Sequence, residues 1–396
     1  MEEAILAVNA GSSSLKFALY PAHDGLVEAS HISGNIEGLE AGGTPLIRLC
    51  TDDGNSTETL EAGEGDSFER ALLALNGVLA RHVGHVRIIA VAHRIVHGGE
   101  RYSESVLLDD ETIAYLTTLC SLAPLHQPHN LEGVHAFRRS YPDLPQIGCF
   151  DTAFHATLPE VEYTFALPKA LRAQGIRRYG FHGLSYRYVA ERLAQQSTLG
   201  KARVLMAHLG NGASACAMRG GQSVATTMGF SALDGLVMGT RSGALDPGVL
   251  LHLLRQGWSW QDLERTLYRE SGLRGISGIS ADMRTLHGSD DPAAILAIDI
   301  FIHRLVREAG ALTACMSGLD VLAFTGGIGE HDAALRQRTC EALAYLGVQI
   351  DPQANLAANG DAICAIHAAG SPVEIWVVPT DEGRVAAADA VRLLTT

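Results

Sequence analysis

A chain of 396 residues is too long for one compact core, so its length predicts two domains. The formal net charge of -14 argues against nucleic acid as the main partner, because binding a polyanion depends on clustered Lys and Arg. The N-terminus carries Glu2 and Glu3 where a signal peptide would be basic, and no apolar run approaches the ~18 residues of a membrane span, so we expect a cytoplasmic protein without a membrane partner.

The chain opens with a predicted β-hairpin. Residues 4–8 and 15–20 are apolar and strand-like, and a polar turn of Gly and Ser lies between them. The same layout returns at residues 204–218, with Gly210 in the place of Gly11. A duplication with a nucleotide between the two copies is the simplest explanation, and chance similarity of two hairpins is the alternative.

Charged residues in apolar surroundings stand out between the hairpins. Arg94 lies between apolar residues, so we expect it to face a buried carboxylate or an anionic ligand. Asp151 follows the apolar strand 147–150, where α/β enzymes place acids and metal-binding groups; a helix N-cap is the alternative. His93 and His97 have zinc-like spacing, but the run is β-like and lacks the Glu of a zinc motif, so metal ligation is the less favoured interpretation.

Two later segments are candidates for a functional site. His182 lies in an aromatic and basic cluster at residues 176–184 and is either a charge donor or a structural histidine. Residues 228–247 contain Arg241 and are too rich in glycine for a helix and too apolar for a free linker, so they predict a site loop.

Residues 321–330 combine a short apolar run with Gly326, Gly327 and Gly329. Such a run, followed by a helix-like segment from His331, predicts a buried strand that opens onto the phosphates of a nucleotide. An ordinary strand-to-helix turn is the alternative. The sequence contains no Gly-Lys-Ser or Gly-Lys-Thr, which excludes a Walker P-loop. The long helix before this run is predicted to pack one apolar stripe against a sheet: Ile295, Ile298, Ile302, Leu305 and Leu312.

Nine segments, in order along the whole chain, resemble the acetate kinase family. They are 8–16 (Val-Asn-Ala-Gly-Ser-Ser-Ser-Leu-Lys), 93–99 (His-Arg-Ile-Val-His-Gly-Gly), 125–126 (Leu-His), 150–155 (Phe-Asp-Thr-Ala-Phe-His), 178–183 (Arg-Tyr-Gly-Phe-His-Gly), 208–212 (His-Leu-Gly-Asn-Gly), 239–243 (Gly-Thr-Arg-Ser-Gly), 282–284 (Asp-Met-Arg) and 326–330 (Gly-Gly-Ile-Gly-Glu).

The resemblance implies the α/β fold of acetate and sugar kinases, Hsp70 and actin. That fold has two duplicated ribonuclease-H-like or actin-like domains with a nucleotide cleft between them. We expect residues 1–151 with 384–396 to form the N-terminal domain and residues 152–383 the nucleotide-binding domain. Closure around the nucleotide is expected, with hinges near Asp151 and Thr380.

The resemblance also implies the activity. It is reversible transfer of the γ-phosphoryl group of ATP to acetate, giving acetyl phosphate and ADP, with Mg²⁺ (or Mn²⁺) as cofactor and a homodimer as the assembly. Acetate is already ionised at neutral pH, so the reaction needs no general base, and its difficulty is repulsion between two anions. We therefore expect direct in-line transfer, with fixed cations that quench this repulsion.

Roles carry over from the family onto individual positions of this sequence. The implied catalytic residues are Asp151, His182, Arg241 and Arg94. The implied substrate contacts are Arg94, Val96, Leu125, Phe181 and Ala232. The implied nucleotide contacts are Lys16, Ser12, Ser14, His208, Leu209, Gly210, Asn211, Gly212, Asp282, Met283, Arg284, Gly326, Gly327, Ile328, Gly329 and Glu330. His126 is similar to a phosphate-site histidine, and Asn9 and Glu382 are implied at the metal, with Asp151 serving its water shell.

The sequence departs from the family pattern at several of these places. Leu184 and Tyr186 stand where threonine and histidine are usual, and Gly383 stands where a second acidic residue is common. Ala232 replaces a proline of the acyl pocket, which predicts that propionate is also accepted. The alternatives are a propionate or other short-chain carboxylate kinase and, from another class, a non-catalytic nucleotide switch of the actin or Hsp70 kind.

Overall fold

The computed structural model describes residues 2–11, 14–39, 45–51, 54–59, 67–83 and 86–395. Their contacts divide the chain into two compact units. Unit 1 comprises Met1–Ala153 and Asp381–Thr396, and unit 2 comprises Phe154–Thr380. The boundaries predicted from the sequence differ from these by two or three residues, and their status as domain boundaries stays a prediction. None of the helices in the described ranges is long and apolar enough to cross a membrane.

The strands and helices follow one another along the chain in mixed α/β order. The strands are β1 (Glu2–Ala10), β2 (Ser14–His23), β3 (Leu26–Val27), β4 (Ile32–Glu37), β5 (Leu46–Thr51), β6 (Gly54–Thr59), β7 (Val86–Ile95), β8 (Val106–Leu107), β9 (Gln146–Phe150), β10 (Arg203–Leu209), β11 (Ala213–Arg219), β12 (Gln222–Thr226), β13 (Val321–Thr325), β14 (Cys364–Ala365) and β15 (Glu374–Val377). The α-helices are α1 (Ser67–Val83), α2 (Asp110–Thr118), α3 (Gln127–Ser140), α4 (Glu160–Tyr163), α5 (Lys169–Arg172), α6 (Gly183–Gln196), α7 (Pro247–Arg255), α8 (Trp260–Arg269), α9 (Gly272–Ser277), α10 (Met283–His287), α11 (Pro292–Met316), α12 (Gly326–His331), α13 (Ala333–Ala342), α14 (Pro352–Ala357) and α15 (Glu382–Thr395).

Each unit is built on one sheet, and the two sheets share a topology. The unit 1 sheet contains the order β4-β2-β1-β7-β9-β8, and the unit 2 sheet has the order β12-β11-β10-β13-β15-β14. In both orders the successive pairings are antiparallel, antiparallel, parallel, parallel and antiparallel. The repeat detected in two hairpins therefore extends over six strands, which supports a duplication over chance similarity.

Apolar helix faces cover the sheets and form the cores. In unit 1, α1 and α3 pack on the sheet around Leu75 and Phe137, and α15 packs on β1 and β7. In unit 2, α6 covers the sheet through Tyr186, Val189 and Leu193, and α11 packs on β10, β11 and β12. This burial fixes the strand ends and the N-terminus of α6, where the candidate site residues lie.

The predicted stripe of α11 is right at four positions and wrong at one. Ile298, Ile302, Leu305 and Leu312 are buried, but Ile295 is 50% exposed. Ala294 is buried in its place, because residues 294, 298, 301 and 305 are spaced by four, three and four positions along one helix face.

Candidate active site

The hairpin turn of unit 1 brings Asn9 and Lys16 side by side. They are paired residues of the antiparallel β1–β2 ladder, and the Gly11 N–H donates to the carbonyl of Ser14 (2.8 Å) to close the turn. Lys16 is exposed and Ser14 is partly buried at the start of β2. The predicted contact Ser12 lies outside the described residues.

The buried carboxylate of Asp151 forms a two-point ion pair with the partly buried Arg94. Nε of Arg94 lies 3.2 Å from Oδ1 of Asp151 and Nη2 lies 2.5 Å from Oδ2, while the Asp151 side chain is only 1% exposed. Glu382 is 3.5 Å from the same guanidinium, and Nη1 of Arg94 donates to Oδ1 of Asn9 (3.3 Å). Burial disfavours the charged guanidinium, but the attraction of the two carboxylates outweighs it and raises the pKa of Arg94. The structure therefore selects the buried carboxylate among the partners expected for Arg94, and one cation faces two anions.

A cavity of about 170 Å³ lies beside this ion pair. Its polar lining consists of Asn9, Lys16, Tyr20, Arg94 and Glu382. The oxygens of Asn9 and Glu382 are hard donors of the kind that Mg²⁺ prefers. The residue types around the cavity therefore fit a Mg²⁺ ion that keeps substrate oxygens and waters among its ligands.

The geometry around Gly383 explains why this position lacks an acidic side chain. A Cβ at Gly383 would overlap the hydroxyl of Tyr20 and would lie 3.0 Å from its ring carbons. Tyr20 is buried and donates a hydrogen bond to Oδ1 of Asp381 (2.5 Å), which also accepts from the N–H of Arg384. Tyr20 thus fills the space that a second carboxylate at residue 383 would need.

Asn130 connects two loops of unit 1 and was not predicted from the sequence. On α3, it accepts from the N–H of Val96 (2.9 Å) and donates to the carbonyl of Ala10 (2.7 Å). A polar helix residue is usually solvent-exposed, so the sequence held no signal for this contact.

Of the other residues of unit 1 that were predicted to contact the substrate or a phosphate, Val96 is buried, and Leu125 and His126 are partly buried just before α3.

The histidines with zinc-like spacing are structural. Nε2 of His93 lies 2.7 Å from the Gln146 side-chain oxygen, and its ring packs edge-on against Phe137. Nδ1 of His97 accepts from the N–H of Gly99 (2.9 Å). Burial lowers the pKa of both histidines to about 4. Within the described ranges, no group of three or more His, Cys, Asp or Glu residues forms a metal cluster.

In unit 2, His182 sits in a strained position at the start of α6. Its φ of 59° is left-handed, which is uncommon for a residue other than glycine and is typical of functional sites. Its Nδ1 lies 2.8 Å from the Ser214 hydroxyl, and its ring stacks on His208 with centroids 4.2 Å apart. Nδ1 of His208 in turn lies 2.8 Å from the hydroxyl of Ser185. The imidazole of His182 is therefore fixed on two sides.

His182 and Arg241 meet at the glycine turn of the second hairpin. A Cβ at Gly212 would lie 3.3 Å from Nε2 of His182 and 3.8 Å from Nη1 of Arg241. Nη1 of Arg241 also donates to the carbonyl of Ala232 (3.0 Å), within the predicted site loop. The predicted loop is confirmed as irregular backbone between β12 and α7, and it places Arg241 and Ala232 together.

Asn211 joins this loop to the hairpin. The N–H of Gly239 donates to the carbonyl of Asn211 (3.0 Å), and a Cβ at Gly239 would overlap the Asn211 side-chain oxygen. A side chain at residue 239 would therefore displace the side-chain amide of Asn211 from its present position.

The glycine-rich strand end differs from its prediction in where the helix begins. α12 starts at Gly326, directly after β13, and not at His331. The carboxylate of Glu330 accepts from the N–H groups of Gly326 (2.8 Å) and Thr380 (3.0 Å), so it caps this helix. Gly327 is exposed with no atom within 4 Å of a Cβ position, whereas Gly329 is buried. Gly327 is thus the most accessible of the predicted nucleotide contacts in this segment.

The predicted contacts at residues 282–284 lie at the start of α10. Asp282 caps the helix by accepting from the N–H of Arg284 (2.9 Å) and holds its guanidinium, which is 90% exposed. Met283 is buried, as is Leu209 of the hairpin. Only Asp282 and Arg284 of this segment present side chains at the surface.

The sequence pattern of the Acetokinase family matches residues 4–388. The chain belongs to the acetokinase family. A relative from Rhodopseudomonas palustris named acetate kinase is 49% identical over 398 residues, covering 99% of this chain and 99% of that protein. A propionate kinase from Francisella tularensis superimposes with a TM-score of 0.89 at 37% identity, covering 98% of both chains. The acetate kinase of Porphyromonas gingivalis superimposes with a TM-score of 0.88 at 35% identity, covering 99% of this chain and 100% of that one.

Membership of the acetokinase family confirms two predictions from the sequence. The family resemblance is confirmed, and so is the α/β fold class with two related sheets. The chain is therefore a kinase of this family. The individual roles of its residues stay predictions, to which the contacts above give a physical basis.

Proposed function

We propose that the chain is an acetate kinase that transfers the γ-phosphoryl group of ATP reversibly to acetate, giving acetyl phosphate and ADP, and that it acts in the cytoplasm. The names of the relatives in the acetokinase family support the substrate. The observation that carries the chemistry is that Nε2 of His182 and Nη1 of Arg241 both lie within 4 Å of the Cβ position of Gly212. Two nitrogen groups that border one space beside a glycine turn suit a transferring phosphoryl group.

The reacting partners determine what the protein must supply. Acetate is an ionised nucleophile, so a base is unnecessary, and the barrier arises from bringing one anion to another. Arg241 offsets negative charge on the transferring group and His182 donates a hydrogen bond to it, while Arg94 is held rigid by Asp151. We propose direct in-line transfer, which predicts inversion of configuration at phosphorus.

Asn9 and Glu382 would hold Mg²⁺, with Asp151 supporting its water shell. When bound, the ion neutralises charge on the β- and γ-phosphate oxygens. The side-chain oxygens of Asn9 and Glu382 both line the cavity beside Arg94, so this position offers the hard oxygen ligands that Mg²⁺ prefers.

A hydroxamate assay tests the function directly. Enzyme with acetate, ATP and Mg²⁺ is expected to accumulate acyl phosphate, trapped by hydroxylamine, and Arg241→Ala is expected to lower kcat by about 10²–10³. Arg219→Ala, an exposed arginine at the end of β11, is the matched control and should leave kcat unchanged. ATP binding without acyl phosphate formation would instead favour the nucleotide-switch alternative.

Ala232 predicts a tolerance for propionate. One methylene is worth ~1–3 kcal/mol, so we expect kcat/KM for propionate within about 200-fold of that for acetate. Ala232→Pro narrows the pocket and is expected to lower kcat/KM for propionate by about tenfold more than that for acetate. A native preference above about 1000-fold, or equal losses for both substrates in the variant, would contradict this assignment.

An exposed apolar face on unit 2 supports the proposed homodimer. None of the residues of α7 is buried, even though the helix is rich in leucine. The side chains of Leu251 and Leu254 are 54% and 47% exposed, and Trp260 at the start of α8 is 65% exposed. Apolar faces of this kind are usually covered by a partner, and a second copy is the partner that the family resemblance implies.

We expect Leu251→Glu to convert a dimer into a monomer in sedimentation velocity, because a charge would be buried at the interface. Leu73→Glu, at a 71% exposed leucine of α1 in unit 1, is the control and should remain dimeric. A monomeric native protein, or a Leu251→Glu variant that stays dimeric, would rule out this face.

A further inference from the structure

A buried chain of hydrogen bonds leads to the imidazole of His182. Tyr186 and Ser214 are both fully buried, and their hydroxyl oxygens are 2.5 Å apart. The Ser214 oxygen lies 2.8 Å from Nδ1 of His182.

The phenol of Tyr186 determines which group donates in each hydrogen bond between Tyr186, Ser214 and His182. Burial raises the pKa of Tyr186 well above its usual value, so the phenol keeps its hydrogen. A phenol is a stronger acid than a serine hydroxyl, so the short bond between them favours donation from Tyr186 to Ser214, which leaves the Ser214 hydrogen for Nδ1 of His182.

His155, another histidine of unit 2, shows the same arrangement with an unambiguous hydrogen position. Its Nδ1 lies 2.8 Å from the Ser223 hydroxyl and its Nε2 lies 3.0 Å from the carbonyl oxygen of Phe181. Burial lowers the pKa of His155 to about 4, so the ring is neutral. A carbonyl only accepts, so Nε2 of His155 carries the hydrogen and Nδ1 accepts from serine.

We propose that Tyr186 and Ser214 are positioning residues that hold His182 in the tautomer with its hydrogen on Nε2. Nε2 of His182 lies 3.3 Å and Nη1 of Arg241 lies 3.8 Å from the position of a Cβ at Gly212, so both groups border the space beside this glycine. In this tautomer His182 donates a hydrogen bond into that space without carrying a positive charge. The inference rests on the proposed function, in which an oxygen of the transferring phosphoryl group accepts this bond.

Long-range ¹H–¹⁵N spectra of the full-length, histidine-labelled protein test the tautomer without any turnover. His182→Gln identifies the signal of His182, and the native protein is expected to show the hydrogen on Nε2. Tyr186→Phe frees the Ser214 hydroxyl to rotate, so the form with hydrogen on Nδ1 is expected to gain population. Tyr188→Phe is the control, because Tyr188 lies on the same helix but takes no part in the hydrogen bonds that lead to His182. It should leave the spectrum of His182 unchanged. A native Nδ1–H tautomer, or a Tyr186→Phe spectrum identical to the native one, would overturn the proposal.

Kinetics provide a second readout, and Ser214→Ala serves if Tyr186→Phe does not fold. Either variant is expected to lower kcat by about tenfold, while KM for acetate changes less than about twofold. Because the two residues act in series, the double variant should be no slower than Ser214→Ala alone. Losses that multiply in the double variant would contradict the series. A native protein that forms no acyl phosphate would refute the proposed function and leave the tautomer result standing.

Discussion

Arg94→Met is expected to lower the free energy of unfolding by about 3–5 kcal/mol and to reduce kcat/KM by at least about 10². The variant leaves Asp151, with a side chain only 1% exposed, without the two-point guanidinium that compensates its charge. It also removes the cation that contacts both Asp151 and Glu382, so the repulsion between these two carboxylates is no longer offset. Urea unfolding followed by fluorescence, together with the hydroxamate assay, measures both losses.

The surface offers a matched control for this ion pair. Arg101 and Glu111 are also 2.5 Å apart, but their side chains are 46% and 75% exposed. Solvent screens such a pair, so Arg101→Met is expected to lower stability far less than Arg94→Met and to leave activity unchanged. Similar losses for Arg94→Met and Arg101→Met would show that burial is not the source of the effect.

A double variant separates the structural role of Arg94 from its catalytic role. Arg94→Met with Asp151→Asn removes both charges, so about half of the lost stability is expected to return. Activity should not return with it, because the double variant lacks both the fixed cation and the acid. Recovery of activity along with stability would mean that Arg94 acts only by holding the fold.

The features predicted correctly from the sequence are local ones. The two hairpins are short alternations of strand and turn residues, and the site loop is a dense run of glycines, so a window of about 20 residues contains the whole signal. The start of α12 was predicted wrongly because Gly326 and Gly327 have low helix propensity. Glu330, four residues on, provides the cap that offsets this propensity, and a local pattern does not reveal that contact.

The contacts that the sequence did not reveal join residues far apart in the chain. Tyr20 and Asp381 are separated by 361 positions, so nothing local indicates that Tyr20 occupies the space beside Gly383. Asn130 likewise reaches Ala10 across 120 positions. The sequence identified Arg94 as needing a partner, from the cost of an unpaired buried charge, but only the sheet register brings Asp151 to it.

Arg336→Leu is expected to destabilise unit 2 by more than about 4 kcal/mol, because Arg336 is fully buried and bonded almost entirely to carbonyl groups. It donates to the carbonyls of Gly329, Glu330, Asn355 and Ala358, and to the side-chain oxygen of Asn355, at distances of 2.7–2.9 Å. Leucine would leave these acceptors buried and unpaired. Burial lowers the pKa of Arg336, yet five bonds hold the guanidinium in place.

The same variant should weaken nucleotide binding in the molecules that still fold. The carbonyls of Gly329 and Glu330 lie in α12, so the guanidinium fixes the segment that presents Gly327. We expect KM for ATP to rise by about tenfold, while KM for acetate stays within about twofold. Arg338→Leu is the control, because Arg338 lies on α13 with Arg336 but forms an exposed ion pair with Asp299. This variant should lower the free energy of unfolding by less than about 1 kcal/mol. Equal rises in KM for ATP and acetate would show that Arg336 supports the whole unit and not the glycine segment, because a local displacement of α12 affects the nucleotide alone.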